Sequence, residues 1–189
     1  MNADLLVYQA KAFYNAYIAL DQLSRDDSDT LLLLFAPLVV NGAFSVELAL
    51  KAILAKNQIE YGKEHNLLIL FQMLPKSFQQ ELWAYLIEKA PEYAGSEKGL
   101  DELILLSNAF VDWRYAFEGK PVPAIESRFL AAFANAAVHT MFSYYNADLL
   151  PATKAESNNE IEQRFHENRE KCKEINLKMI QMKTKEHQL

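Results

Sequence analysis

Glu47 and Lys51 are charged residues inside a strongly apolar stretch, which makes them first candidates for chemistry. Four residues apart, their side chains meet on a helix in the favourable order, a contact worth about 0.2–0.5 kcal/mol at an exposed surface. If the helix is internal, both charges need partners, because an isolated buried charge is costly. Arg114 is the natural partner for Glu47 in that case. The pair is therefore either a surface ion pair or part of a pocket.

His65 and Arg114 are the next candidates. His65 follows a polar turn, and its ring can either pack against the backbone or bind a ligand and transfer protons. Arg114 is a buried ion-pair anchor or a phosphate-binding group, because a guanidinium offers planar paired donors. No residue is assigned a catalytic role. The candidate ligand-binding residues are Glu47, Lys51, His65, Arg114, Tyr115 and Glu118.

Common enzyme signatures are absent from the sequence. It contains no P-loop, no Gly-rich dinucleotide turn, no paired-cysteine zinc spacing, no His-Glu-x-x-His helix and no nucleophile elbow. The four histidines and the single Cys172 show no spacing typical of a metal site or a Cys–His pair, and His139 is expected to be packed. We therefore expect no cofactor and no metal.

Helical periodicity runs through most of the first 151 residues, and 5 Gly and 6 Pro leave little turn material for a many-stranded sheet. The prediction is an all-α, up-and-down bundle of about five core helices with an additional C-terminal helix. Pro37 is expected to kink or restart the central helix. Ser77 with Gln80 predicts a capping box, and Asp101 predicts a helix N-terminus. The expected helices cover residues 3–23, 30–56, 65–74, 77–90, 101–117 and 125–146.

The chain is predicted to divide into a bundle, residues 1–151, and a charged C-terminal helix or appendage, residues 152–189. Within the second part, apolar residues step by four and three as in a partner-facing coiled-coil helix, although a solvated helix fits the same pattern. The members of this seam are Ile161, Phe165, Asn168, Cys172, Ile175, Met179 and Met182.

Charge and cysteine content limit the setting of the protein. The formal net charge of -6 argues against a general nucleic-acid-binding face and leaves room for a local basic pocket. One cysteine cannot form an intrachain disulfide, which favours the cytoplasm. The longest apolar run, residues 31–40, is about half of what a membrane-spanning helix needs, so no membrane partner is expected.

Three segments together resemble the HEPN superfamily. Residues 47–54 read Glu-Leu-Ala-Leu-Lys-Ala-Ile-Leu, residues 65–70 read His-Asn-Leu-Leu-Ile-Leu, and residues 112–118 read Asp-Trp-Arg-Tyr-Ala-Phe-Glu. The first two look like the second and third helices of HEPN domains, and the last is similar to an Arg-Tyr element in many members. The resemblance implies a bundle of four or five helices that is commonly dimeric.

The branches of this superfamily differ in function: toxin ribonucleases, nucleotide-binding modules and partners of small nucleotidyltransferases. Ribonuclease members place an Arg four to six residues before a His on a late helix, and no Arg of this chain has that spacing. Arg128 and His139 are eleven residues apart, about 16 Å along one helix.

The resemblance therefore implies a nucleotide- or RNA-associated binding module without catalysis. Two alternatives stay open, a ribonuclease toxin with a degenerate active site and a structural or adaptor protein that uses the C-terminal helix. The expected partners are a second copy of the chain, a nucleotide or RNA, and a cognate nucleotidyltransferase or antitoxin.

Overall fold

Helices make up the regular structure of the residues that can be described. The computed structural model describes residues 3–24, 28–94, 97–115 and 124–145, and within these ranges it contains no β-strand. The predicted all-α helical bundle is confirmed. The predicted C-terminal helix, residues 152–189, lies outside the described residues. The helices are α1 (Ala3–Ser24), α2 (Ser28–Lys56), α3 (Leu67–Met73), α4 (Lys76–Lys89), a 3-10 turn (Pro91–Tyr93), α5 (Glu97–Leu106), α6 (Ala109–Arg114) and α7 (Ser127–Tyr145).

Helix α2 is the centre of the bundle. It packs most extensively against α1, and also against α7, α6 and α3. Its second half is apolar on almost every side because neighbours surround it, and Leu50, Ile53 and Leu54 are fully buried. The large aromatic side chains of Tyr17 on α1 and Phe133 on α7 complete this core.

The apolar stretch of α2 is longer than the run of residues 31–40. Among the described helices, only Leu33–Lys56 is long and apolar enough to cross a membrane by length and composition. More than half of that window is buried in the bundle, and it contains the charged residues Glu47 and Lys51. These features are typical of the core helix of a soluble protein.

Pro37 lies inside a continuous α2 rather than between two helices. A proline cannot donate to the carbonyl one turn earlier, here that of Leu33. Both residues lie on the exposed side of the helix, where water can replace the lost backbone hydrogen bond. The helix therefore continues through the proline.

Gly42 allows α2 to approach two neighbouring helices closely. A Cβ atom at this position would lie 3.0 Å from a ring carbon of Tyr17 and 3.1 Å from a methyl group of Leu130. The missing side chain is thus what lets α1 and α7 come together over the middle of α2. This contact lies five residues before Glu47 in the same helix.

Two predicted helix starts are wrong. Helix α3 begins at Leu67, because Asn66 and not His65 forms the N-cap, with its side-chain oxygen accepting from the Ile69 N–H at 3.0 Å. Helix α4 begins at Lys76 after Pro75, and no side-chain cap is formed, so the Ser77–Gln80 capping box does not exist. His65 consequently belongs to the loop before α3.

The single helix predicted for residues 101–117 is instead two helices, α5 and α6. Helix α5 already begins at Glu97. It ends near Ser107, whose hydroxyl donates to the Ile104 carbonyl at 2.6 Å. The Ser107 carbonyl accepts the N–H of Leu67, the first residue of α3, at 2.8 Å. A backbone contact with another helix thus replaces the continuation of α5.

The C-terminus of α2 is a Schellman motif formed without glycine. The Ile59 N–H donates to the Leu54 carbonyl at 2.9 Å and the Gln58 N–H donates to the Ala55 carbonyl at 3.0 Å. Gln58 has a φ of 58°, in the left-handed region that normally favours glycine. This turn sets the path of the loop that carries His65.

We predict that Gln58→Gly stabilises the protein, because glycine removes the left-handed strain of about 1–2 kcal/mol. The larger conformational entropy of glycine in the unfolded state cancels only part of this gain. The free energy of unfolding in urea should rise by about 0.5–1 kcal/mol. Gln80→Gly, on the exposed middle of α4, is the control and should lower stability by about 1 kcal/mol. Equal losses for both variants would contradict the role of Gln58 in ending α2.

Candidate functional site

Glu47 and Lys51 form an ion pair inside the bundle. The Lys51 Nζ donates to Glu47 Oε1 at 2.8 Å, and the two side chains are only 9% and 1% exposed. At this burial the pair is much more than a surface contact, because each charge would be costly alone. The four-residue spacing on α2 brings the groups together, as the sequence indicates.

His65 is the second partner of Glu47. Its Nδ1 lies 2.9 Å from the same carboxylate oxygen, Oε1, although the two residues are 18 positions apart. A carboxylate only accepts, so Nδ1 carries the proton in this contact and the ring orientation is set by Glu47. The His65 side chain is 51% exposed. Its Nε2 is therefore the atom available to a ligand.

The loop before α3 is held by hydrogen bonds at its own residues. Glu64 Oε1 accepts from the backbone N–H groups of His65 at 2.9 Å and Asn66 at 2.8 Å. The Asn66 side chain also donates to the Asn108 side chain at 3.0 Å. The cap of α3 is thus tied to the start of α6, and His65 is fixed between them.

The pKa values of two ionisable neighbours, Glu64 and Tyr61, reflect their surroundings. The backbone N–H of Asn66, followed by that of His65, holds the pKa of the Glu64 carboxyl below its ordinary value, and the charges of His65 and Lys51 act in the same direction. Burial raises the pKa of Tyr61, with a smaller contribution from the Glu47 charge. The Lys51 ammonium lies 5.4 Å from the centre of the Tyr61 ring, within cation–π distance.

The second oxygen of Glu47, Oε2, is buried and accepts no hydrogen bond from the residues that the structure describes. Oε1 accepts both donors, from Lys51 and His65. A buried carboxylate oxygen without a donor has a free-energy cost of about 1–3 kcal/mol or more. The arrangement of Glu47, Lys51 and His65 is therefore not the one that stability alone would favour.

Arg114 lies elsewhere, at the exposed end of α6. Its guanidinium packs on the rings of Phe110 and Tyr115, 4.9 and 4.6 Å from their centres, and Nη2 donates to the Tyr115 hydroxyl at 2.8 Å. Within the described ranges no hydrogen bond or ion pair joins Arg114 to Glu47. The predicted Glu47–Arg114 partnership is therefore wrong. Glu118 lies outside the described residues.

The candidate residues thus fall into two groups. Glu47, Lys51 and His65 form one cluster, which we call the Glu47 cluster, and Arg114 with Tyr115 forms a second group. Asn66, the residue after His65, contacts Asn108 at the start of α6, whereas Arg114 is the last residue of α6, about 9 Å further along the helix axis. One helix therefore links the two groups without bringing them into contact.

A comparison with protein-family models gives one match, the HEPN domain, over residues 38–128. The matched range contains the Glu47 cluster and Arg114. Residues 38–128 belong to the HEPN superfamily. No curated protein and no solved structure matches the chain. Its HEPN domain supports a nucleotide- or RNA-related module in general terms.

Several structural features of the chain were not predicted from the sequence. The Asn66 cap is recognisable in hindsight, because asparagine before an apolar run is a helix-start signal. The contact of Asn66 with Asn108 spans 42 residues and has no local signal. His139, which was expected to be packed, has an exposed side chain whose ring stacks on Tyr85 at 3.9 Å.

Within the described ranges, no three His, Cys, Asp or Glu side chains come close enough together to hold a metal ion. The Glu47 cluster offers groups that form hydrogen bonds and can transfer protons. A carboxylate orients one ring nitrogen of His65 and leaves the other to a ligand.

We predict that Glu47→Ala lowers the free energy of unfolding by about 3–5 kcal/mol, because it leaves the buried Lys51 ammonium without its partner. The double variant Glu47→Met/Lys51→Met should lose much less, since neither charge remains buried. Urea unfolding followed by circular dichroism measures both. Equal losses would mean that lost volume, and not the unpaired charge, determines the effect.

The lowered pKa of Glu64 predicts a pH dependence of stability. The folded state favours the carboxylate, so the contribution is present above the ordinary pKa of 4.5 and is lost as the pH falls through the lower folded pKa. Glu64→Gln should therefore flatten the acid side of the stability curve and leave its alkaline side unchanged. Glu81→Gln, exposed on α4, is the control. An unchanged acid limb in Glu64→Gln would contradict this assignment.

Proposed function

We propose that this HEPN chain is a non-catalytic module that binds a nucleotide or RNA through the Glu47 cluster and the Arg114–Tyr115 group. The observation that carries the proposal is the half-exposed His65 ring, which a buried carboxylate orients with one nitrogen left to a ligand. Membership of the superfamily supplies the class of ligand. The proposed cellular setting is the cytoplasm, with a nucleotidyltransferase or antitoxin as protein partner.

The two groups suit different parts of such a ligand. The Arg114 guanidinium is exposed and held flat by two rings, so its remaining N–H donors can take two oxygens of a phosphate. The Glu47 cluster carries an acidic residue that Lys51 balances, which suits a neutral polar group better than a phosphate. We therefore assign the phosphate to Arg114 and a base or sugar group to His65.

The absence of catalysis is supported by the lack of an Arg four to six residues before any His. The Arg114 and His65 side chains also have no contact with each other among the described residues. A positioned acid and base must both reach the reacting group. Arg114 lies at the last residue of α6, whereas Asn66, beside His65, contacts Asn108 before the first residue of that helix.

A structural role is the second candidate, and the burial of Glu47 and Lys51 favours it. A buried polar network can fix the packing of helices without any ligand, and Oε1 of Glu47 accepts from both Lys51 and His65. On this alternative His65 and Arg114 stabilise the fold locally, and the adaptor function belongs to the predicted seam of residues 161–182. Removal of residues 152–189 would then abolish partner capture and leave nucleotide affinity at background.

We predict that His65→Ala and Arg114→Ala each weaken binding of mononucleotides or single-stranded RNA by about tenfold, the loss expected for one charge-assisted hydrogen bond. Calorimetric titration measures the affinities. His139→Ala and Arg128→Ala are matched controls, because His139 stacks on Tyr85 and Arg128 pairs with Glu92, and both should bind as the unchanged protein does.

The same samples test catalysis. Pure protein should leave the RNA intact over the time of the titration. RNA cleavage that disappears in Arg114→Ala would overturn the non-catalytic part of the proposal, and the absence of any nucleotide or RNA affinity would overturn the rest in favour of the structural role.

A further inference from the structure

The His65 ring presents a hydrogen-bond acceptor to solvent. Its Nδ1 proton is donated to Glu47, so the Nε2 of the neutral ring keeps a lone pair and accepts. Lys51 already balances the Glu47 charge, so the ring needs no charge of its own. Half of the His65 side chain is exposed. A ligand group that meets Nε2 must therefore be a donor.

Glu64, the residue before His65, offers a second acceptor. Its Oε1 accepts the backbone N–H groups of His65 and Asn66, which occupies both lone pairs of that oxygen. Neither bond uses Oε2. The N–H of Asn66, followed by that of His65, also lowers the pKa of the Glu64 carboxyl, so the group is a carboxylate at neutral pH. Two single acceptors, one oxygen and one nitrogen, thus lie close together on one loop.

This pair of acceptors selects among the parts of a nucleotide. A phosphate has no hydrogen to donate when ionised, and the Glu64 charge repels it. A guanine edge pairs two N–H donors with both oxygens of one carboxylate, but Oε1 of Glu64 is already occupied. The vicinal hydroxyls of a ribose offer one O–H from each of two oxygens, and each O–H rotates to suit its acceptor. Acidic side chains bind ribose hydroxyls in dinucleotide-binding folds as well.

We infer that Glu64 Oε2 and His65 Nε2 accept the two vicinal hydroxyl groups of a ribose. The inference rests on the proposed binding of a nucleotide or RNA and deepens it, because it names the sugar as the part that this loop recognises. The ligand is then a ribonucleotide whose 2′- and 3′-hydroxyls are both free, either a mononucleotide or the 3′-terminal residue of an RNA. A deoxy form lacks one donor and leaves one acceptor without its partner.

The inference is tested by calorimetric titration of the full chain. The probes are the four ribonucleoside 5′-monophosphates, each with its 2′-deoxy and 3′-deoxy forms. Each missing hydroxyl should raise the Kd about tenfold, the loss expected for one hydrogen bond at a half-exposed site.

Two conservative variants assign the two acceptors. Glu64→Gln keeps a carbonyl oxygen for the backbone N–H groups of the loop and replaces Oε2 by an amide donor. His65→Asn keeps a donor for Glu47 and removes Nε2. In each variant the preference for one hydroxyl should vanish and the preference for the other should stay, with unchanged helix content by circular dichroism. Glu60→Gln removes an equal charge from an exposed residue, and as the matched control it should keep both preferences.

A short single-stranded RNA with a free 3′ end, and the same RNA with a 3′-phosphate, separate the two sources of the diol. If the free-end RNA binds more tightly than any mononucleotide and the 3′-phosphate lowers its affinity, the ligand is an RNA 3′ end. If a mononucleotide binds more tightly than either RNA, the ligand is a free nucleotide. Both results support the inference.

Equal affinities for the ribose and deoxyribose forms would overturn the inference and leave the proposed function intact. A preference among bases without one among sugars would also overturn it, because the acceptors would then belong to a base edge. The assignment of residues is wrong if Glu64→Gln and His65→Asn both keep the full ribose preference. No affinity for any probe would overturn the proposed function itself, and the inference with it.

Discussion

The burial of the Glu47 carboxylate is the constraint on which the arrangement of this bundle depends. A carboxylate that is 1% exposed needs donors close by, because transfer of a charge from water into a protein interior costs several kcal/mol. Lys51 supplies one donor from the next turn of α2. The other comes from His65, so the loop before α3 must lie against the middle of α2. The charge thus determines where a loop goes, and not only which side chains pair.

That requirement explains the polar contacts at the junction of α2, α3 and α6. The loop leaves α2 through a left-handed turn at Gln58, and is then held by the acceptor oxygen of Glu64 and by the Asn66 cap. The break between α5 and α6 serves the same junction, since the Ser107 carbonyl accepts from the first residue of α3. Helix ends that look irregular in isolation are the points at which the bundle holds His65.

Local patterns therefore predict the long helices and fail at this junction. Helices α1 and α7 have one apolar side and clear ends, so periodicity predicts them within two residues at either end. The break at Ser107 has no Gly or Pro to indicate it, because its cause is the N–H of Leu67, 40 residues earlier in the chain. The Glu47–Lys51 pair follows from the four-residue spacing, whereas the Glu47–His65 pair depends on the path of a loop. Arg114 was assigned to Glu47 because both are charged, but its neighbours Phe110 and Tyr115 satisfy the guanidinium locally and at the surface.

The bundle has two parts, and the Glu47 cluster lies in the part that matches the HEPN domain. Residues 38–128 include the second half of α2 and the helices that hold His65, whereas α1 precedes them. The matched part carries a costly buried charge and an acceptor oxygen without a donor among the described residues, so selection for stability alone does not account for it. Helix α1 precedes the matched range and covers α2 with its inner face. A bundle built in this way can keep an energetically imperfect cluster because the contact of α1 with α2, the most extensive in the described fold, supplies stability.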